Sequence, residues 1–98
     1  LEKHMQLFIA YVGEDGNVYT SKLVSNLRKN GIYVEKDIMC RSLKAQFKYA
    51  DKKDAKYILT IGDNEIINKK AIIKNMKTGE EREINLEDES LINILKDN

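Results

Sequence analysis

The sequence predicts an α/β fold: a three-layer α/β/α arrangement built on a mixed five-stranded sheet with three helices. Three observations predict it. The apolar run Leu7-Phe8-Ile9-Ala10-Tyr11-Val12 stops at Gly13, and a similar run from Lys56 to Ile61 stops at Gly62. Between them lie two segments whose apolar residues recur at helical spacing. After residue 70 the pattern changes to alternation on either side of a glycine turn. Strand–helix–strand–helix–strand implies crossovers, hence parallel strands with helices packed on them. The alternating pair adds an antiparallel hairpin.

The first run is too short for a buried helix and rich in β-formers, so it reads as a strand covered on both faces. Gly13-Glu14-Asp15-Gly16-Asn17 reads as a turn, with Asp15 or Asn17 suited to cap the next helix. In that helix Tyr19, Leu23 and Leu27 recur every four residues beside Val24, and Asn30-Gly31 supplies the stop. Ile32-Tyr33-Val34-Glu35 is a short strand. Ser42 can cap a second helix in which Leu43, Phe47 and Ala50 share one face. The 56–61 strand follows, and Gly62-Asp63-Asn64-Glu65 reads as a polar turn. Residues 71–76 and 81–86 flank Lys77-Thr78-Gly79-Glu80 as a hairpin. Glu87, Asp88 and Glu89, then Leu91, Ile92, Ile94 and Leu95 before Lys96, place acids and a cation as a helix dipole favours them.

Composition narrows the function. With 98 residues the chain is one domain, long enough for a core without disulfides or metal. A net charge of +1 excludes a strongly basic surface, so any nucleic-acid binding must come from local clustering of its 17 basic residues. The single cysteine, Cys40, excludes an internal disulfide, and with the single His4 it gives no zinc-ligand spacing. No apolar stretch approaches membrane-spanning length and no signal-peptide pattern opens the chain, so a cytoplasmic location is expected. Residues 1–5 read equally as native sequence and as a tag remnant or linker; the domain is taken as 6–98.

Two constellations suggest a ligand. On the second helix Arg41, Lys44, Lys48 and Lys52 fall within roughly 80° of one another at about 100° per residue. Such a stripe can track a phosphate backbone, although the plain alternative is a solvated helix face. Glu65 follows a buried strand at the sheet end where α/β ligands usually bind. A carboxylate there can accept the neighbouring N–H donors of an unpaired guanine, or simply cap a turn. Gly13-Glu14-Asp15-Gly16 has the setting of a phosphate loop but lacks Gly-Lys-Ser/Thr, and its carboxylates would repel phosphate. Among the tyrosines, Tyr49 is the best exposed candidate for stacking on a base. No catalytic site can be assembled from this inventory.

The segment Asp37-Ile38-Met39-Cys40-Arg41-Ser42-Leu43-Lys44-Ala45-Gln46-Phe47-Lys48-Tyr49-Ala50-Asp51 resembles the part of histidyl-tRNA synthetases that leads into the second helix of their C-terminal, anticodon-binding domain. Ala55-Lys56-Tyr57, Gly62-Asp63-Asn64-Glu65, Lys74, the Lys77-Thr78-Gly79-Glu80-Glu81 hairpin and, upstream, Leu27-Arg28-Lys29-Asn30-Gly31-Ile32 agree in order and spacing. The resemblance implies the same five-stranded fold, shared with the threonine, proline and glycine members of the class. It implies that the anticodon stem-loop of tRNA(His) is the partner. Glu65 would read base edges, Lys74 would contact bases or phosphates, and Arg41, Lys44 and Lys48 would hold the backbone. Cys40 departs from the family, where glycine or a small polar residue is usual, so a base contact from Cys40 is in doubt. The parent would be histidine–tRNA ligase, a homodimer using ATP and Mg in a catalytic core N-terminal to Leu1. This fragment would be non-catalytic, without a cofactor of its own, and compatible with a monomer. The rival readings are a synthetase-like interaction or regulatory module that no longer binds tRNA, and a flavodoxin-shaped enzyme that the glycine loop argues against.

Overall fold

The computed structural model describes residues 4–96, folded around a single five-stranded sheet. In chain order the elements are β1 (Leu7–Tyr11), α1 (Gly13–Lys29), β2 (Val34–Lys36), α2 (Leu43–Lys52), β3 (Tyr57–Ile61), α3 (Asp63–Asn68), β4 (Lys70–Asn75), β5 (Glu81–Asn85) and α4 (Asp88–Lys96). The strand order is β2-β1-β3-β4-β5. β1 runs parallel to β2 and β3, while β3–β4 and β4–β5 are antiparallel. The expected mixed sheet is present.

The helix count is four, not three. Gly62-Asp63-Asn64-Glu65, expected as a turn, opens α3. Its first turn is held by the Glu65 side chain, whose Oε1 accepts the Gly62 N–H at 2.8 Å. Lys69 ends it in the left-handed region at φ 55°. The N-terminus of α1 also differs from expectation: neither Asp15 nor Asn17 caps it. Gly13, at φ +82°, turns the chain directly from strand into helix, so the expected turn residues form the first helical turn. The C-terminus is as the sequence suggests. Gly31 N–H reaches Arg28 O and Ile32 N–H reaches Leu27 O, both bonds of a glycine-terminated Schellman stop. Ser42 caps α2, its Oγ accepting Ala45 N–H at 3.3 Å.

β1 is buried along its whole length, as a central strand between two helical layers must be. On one face Leu7, Ile9, Leu59, Ile61 and Ile73 pack against Leu23, Val24 and Leu27 of α1 and Leu91 and Leu95 of α4. On the other, Phe8, Ala10 and Ile58 pack against Ala50 of α2, with Leu43 and Tyr49 at its margin. Met5, set aside with residues 1–5, is buried in this second cluster. Leu1, Glu2 and Lys3 lie outside the described residues. The two layers are unequal. α1 and α4 cover the first face broadly, whereas α2 lies over β1 and β3 and leaves the second face of β4 open: Ile72 there is 44% exposed. That uncovered face and the carboxyl ends of β1–β3 position the candidate site.

Candidate nucleic-acid interface

The lead-in to α2 is built around a buried acid. Asp37 has no exposed surface, and its Oδ2 accepts Arg41 N–H at 2.7 Å while its Oδ1 accepts Arg41 Nε–H at 2.7 Å. Arg41 Nη2 lies 2.7 Å from the same Oδ1. Burial alone would raise the Asp37 pKa. The backbone and guanidinium donors of Arg41, with its charge, outweigh burial and hold the carboxyl below its usual value. The guanidinium also lies 4.6 Å over the Tyr49 ring, which in turn packs 5.6 Å from Phe8. Arg41, expected to hold an RNA backbone, is thus engaged with Asp37 and Tyr49. Tyr49, expected to be the exposed stacking residue, lies half-buried beneath Arg41, with Lys53 Nζ also 5.6 Å from its ring. Cys40 is exposed and sits in the left-handed region at φ 52°, a conformation that costs an L-residue about 1–2 kcal/mol and glycine nothing.

Gln46 fixes α2 to the sheet. Fully buried, it accepts Tyr11 N–H at 2.9 Å and donates Nε2–H to Tyr11 O at 3.0 Å and Arg41 O at 2.8 Å. A side-chain amide thus closes the end of β1 where no further strand residue can. Because the packed face centres on Gln46 and Ala50, Phe47 is rotated to the flank and remains 40% exposed, although the sequence pattern placed it in the core. Lys44 and Lys48 point outward, exposed, and form no ion pair among the described residues.

Glu65 stands at the same end of the sheet as the α2 start. Tyr11 and Val12 line a depression with Cys40, Arg41 and Ser42, and a Cβ on Gly62 would lie 3.9 Å from Val12 Cβ and 3.1 Å from Glu65 Oε1. The end of β1 is therefore the common neighbour of the α2 start and the Glu65 turn. Lys74 lies elsewhere. It is the register partner of Ile58, three residues back from the end of β3, and so about 10 Å along the sheet. There it lines an open cleft with Phe47 and Ile72. Ile72 borders both this cleft and the depression beside Glu65. The candidate surface is bent: a carboxyl-end part with Glu65, Cys40 and Lys44, and a sheet-face part with Lys74 and Phe47.

A family model for the anticodon binding domain matches residues 6–98. The chain belongs to the anticodon-binding domain family. The anticodon-binding domain is 52% identical over 94 residues to the histidine–tRNA ligase of Acetivibrio thermocellus, a match covering 96% of this chain and 22% of that protein. It is 54% identical over 78 residues to that of Caldanaerobacter subterraneus subsp. tengcongensis, covering 80% and 19%. It thus spans about a fifth of the length of these relatives. Apo histidyl-tRNA synthetase of S. aureus superposes with TM-score 0.89 at 40% identity, over 97% of this chain and 27% of that one. The RNA-binding domain of threonyl-tRNA synthetase from Cryptosporidium parvum Iowa II superposes at TM-score 0.82 with 20% identity over 94% of this chain and 23% of that one, a likeness of fold alone. None of these matches favours an interaction module that has lost tRNA binding.

No group of three metal-ligating side chains occurs among the described residues of the anticodon-binding domain. No helix among them is long and apolar enough to cross a membrane. Sequence reasoning missed Gln46 because a polar residue at the centre of a packed face interrupts the hydrophobic pattern. It missed the engagement of Arg41, although Asp37 four residues earlier was visible as a partner.

Proposed function

We propose that this chain is the tRNA anticodon-binding domain of a histidine–tRNA ligase, positioning tRNA(His) for aminoacylation by a catalytic core outside these residues. The observation that carries the proposal is the identity of about half over nearly the whole domain to histidine–tRNA ligases. The disposition of charge supports it: exposed lysines on α2, a carboxylate just past the carboxyl end of β3 and a sheet face on which Ile72 is left exposed. In this reading Lys44 and Lys48 hold the loop's phosphates. Glu65 offers a carboxylate to base edges, its Oε1 already steadied by Gly62 N–H. Lys74 meets a base or phosphate over the sheet. Arg41 acts indirectly, by shaping the α2 start, and Cys40 contributes surface at the left-handed corner. The parent is cytoplasmic and homodimeric. ATP and Mg serve its catalytic core, and the residues present here do not fit them: Gly13–Gly16 is the opening of α1 and carries Glu14 and Asp15.

The test is a titration of the chain with the anticodon stem-loop of a histidine tRNA across a range of salt. Phosphate contacts from Lys44 and Lys48 give a slope of log K against log salt of about −1.4 to −1.8. Lys44→Ala and Lys48→Ala should weaken all RNAs alike, and Glu65→Gln should reduce discrimination between anticodons. Binding no tighter than to an unrelated hairpin would defeat the proposal.

A further inference from the structure

We infer that the open edge of β2 takes up one added strand, an extended segment of a partner protein that carries acidic and apolar side chains. The inference concerns a different surface from the RNA-binding reading and does not depend on it. β2 ends the sheet, and no strand lies beyond it. A groove of about 930 Å³ follows this edge. Its lining includes Val24, which packs on one face of the sheet, and Tyr49, which packs on the other. One groove reaches both layers only where the sheet stops.

The edge has the polarity of a strand acceptor. Gln6 and Leu7 N–H donate to Tyr33 O at 2.9 and 3.3 Å, so the Tyr33 carbonyl faces β1. Strand groups alternate in direction, which turns the N–H and C=O of Val34 and Lys36 outward. Arg28 bears this out: its Nε and Nη2 donate to Val34 O at 3.1 and 3.0 Å, covering one acceptor of the edge. Just past β2, Ile38 and Met39 are 80% and 67% exposed, and both line the groove. A row of backbone donors and acceptors beside apolar side chains is what strand addition uses. A sugar–phosphate chain has no such row to match it.

Charge selects the occupant. Arg28 serves a neutral carbonyl, and Lys36 Nζ donates to the neutral Asn17 amide oxygen at 2.6 Å. Neither meets a carboxylate among the described residues. Arg41 is balanced by Asp37, and Glu35 is the one acid in the lining. A second copy of this chain would set like charges together along the edge. An acidic strand offers Arg28 a charged acceptor in place of a neutral one, a stronger bond.

The experiment is a ¹H–¹⁵N titration of the chain with a blocked octapeptide of alternating glutamate and valine. The control peptide has lysine for glutamate. The Val34 and Lys36 amides should shift and exchange more slowly, and the acidic peptide should bind at least about tenfold tighter at low salt. Lys36→Pro removes an edge donor that the fold does not use, and should bind about tenfold more weakly than Lys36→Met, which keeps it. Ile38→Ser with Met39→Ser, at exposed positions where folding is unaffected, should also cost about tenfold. Equal binding of both peptides, or wild-type affinity in either the proline or the double-serine variant with an unchanged melt, overturns the inference. So does self-association of the free chain through this edge, which makes a second copy the occupant. Displacement of the peptide by the histidine-tRNA stem-loop, with the same amides shifted, also overturns it and assigns the groove to RNA.

Discussion

Replacing Arg41 by methionine separates a folding role from a binding role at a residue where the sequence suggests only the second. The guanidinium gives Asp37 Oδ1 two contacts at 2.7 Å, and the carboxylate it serves has no exposed surface. A hydrogen bond to a charged group contributes about 1.5–3 kcal/mol. Both contacts share one acceptor, the Arg41 side chain is 32% exposed, and the backbone N–H at Oδ2 survives the substitution. After the discount for solvent screening, the expected loss is about 2 kcal/mol. For a domain of this size that lowers Tm by about 8–16 °C. The assay is a double-mutant cycle by urea unfolding with R41M, D37N and the pair, in which the coupling should be about 2 kcal/mol. Lys at this position keeps the charge without the fork, so R41K should recover little stability. A coupling below about 0.5 kcal/mol would refute the reasoning. So would R41M with an unchanged Tm and weakened RNA binding, which would return Arg41 to direct phosphate contact.

Because the Asp37 pKa is depressed on folding, its contribution is fully present above the unfolded value near 3.9 and is lost as pH falls below it; D37N should flatten that part of the acid-unfolding curve. Cys40→Gly removes the left-handed strain at φ 52° against the greater chain entropy of glycine, and should raise stability by up to about 1 kcal/mol in thermal melts. Gly16→Val places a Cβ 3.2 Å from the carbonyl oxygen of Ile61, which already accepts Val12 N–H; urea titration should show a loss of about 1–3 kcal/mol. Lys48→Ala removes an exposed cation with no ion pair among the described residues and should leave Tm unchanged while making the RNA salt slope shallower by about 0.7.

The parts of the fold legible in the sequence are those where one local signal decides the outcome. The β-rich runs ending at Gly13 and Gly62, the Asn30-Gly31 stop and the Ser42 cap all produce the elements they suggest. α3 was not legible, because Gly62, Asp63 and Asn64 are turn formers and the adjacent Ile66-Ile67 has no helical period. Its start depends on Glu65 reaching back to Gly62, half of a capping box whose other half needs a hydroxyl that glycine lacks. The candidate surface was legible as charge and not as partnership. Periodicity put Arg41 on a stripe with Lys44 and Lys48, but could not show that its guanidinium pairs with the buried Asp37. Periodicity also put Phe47 with Leu43 and Ala50, but the face is anchored by Gln46, which an apolar pattern cannot nominate, and Phe47 turns outward.

That redistribution of roles bears on how a nearly neutral domain could select one RNA. With the Arg41 guanidinium paired to Asp37, the proposed phosphate contacts would rest on a few lysines, and sequence-independent attraction would be correspondingly weak. Weak general attraction favours discrimination, since the specific contacts then make up a larger share of the total. Glu65, Glu81 and Glu83 line depressions on or beside the open face of β4, where they repel phosphate and can accept from base edges. Lys44 and Lys48 carry the opposite preference on α2. A loop approaching this surface would therefore be sorted by charge, its backbone drawn to the helix and its bases turned toward the sheet. A uniformly basic patch would hold the same loop more tightly and in no particular orientation.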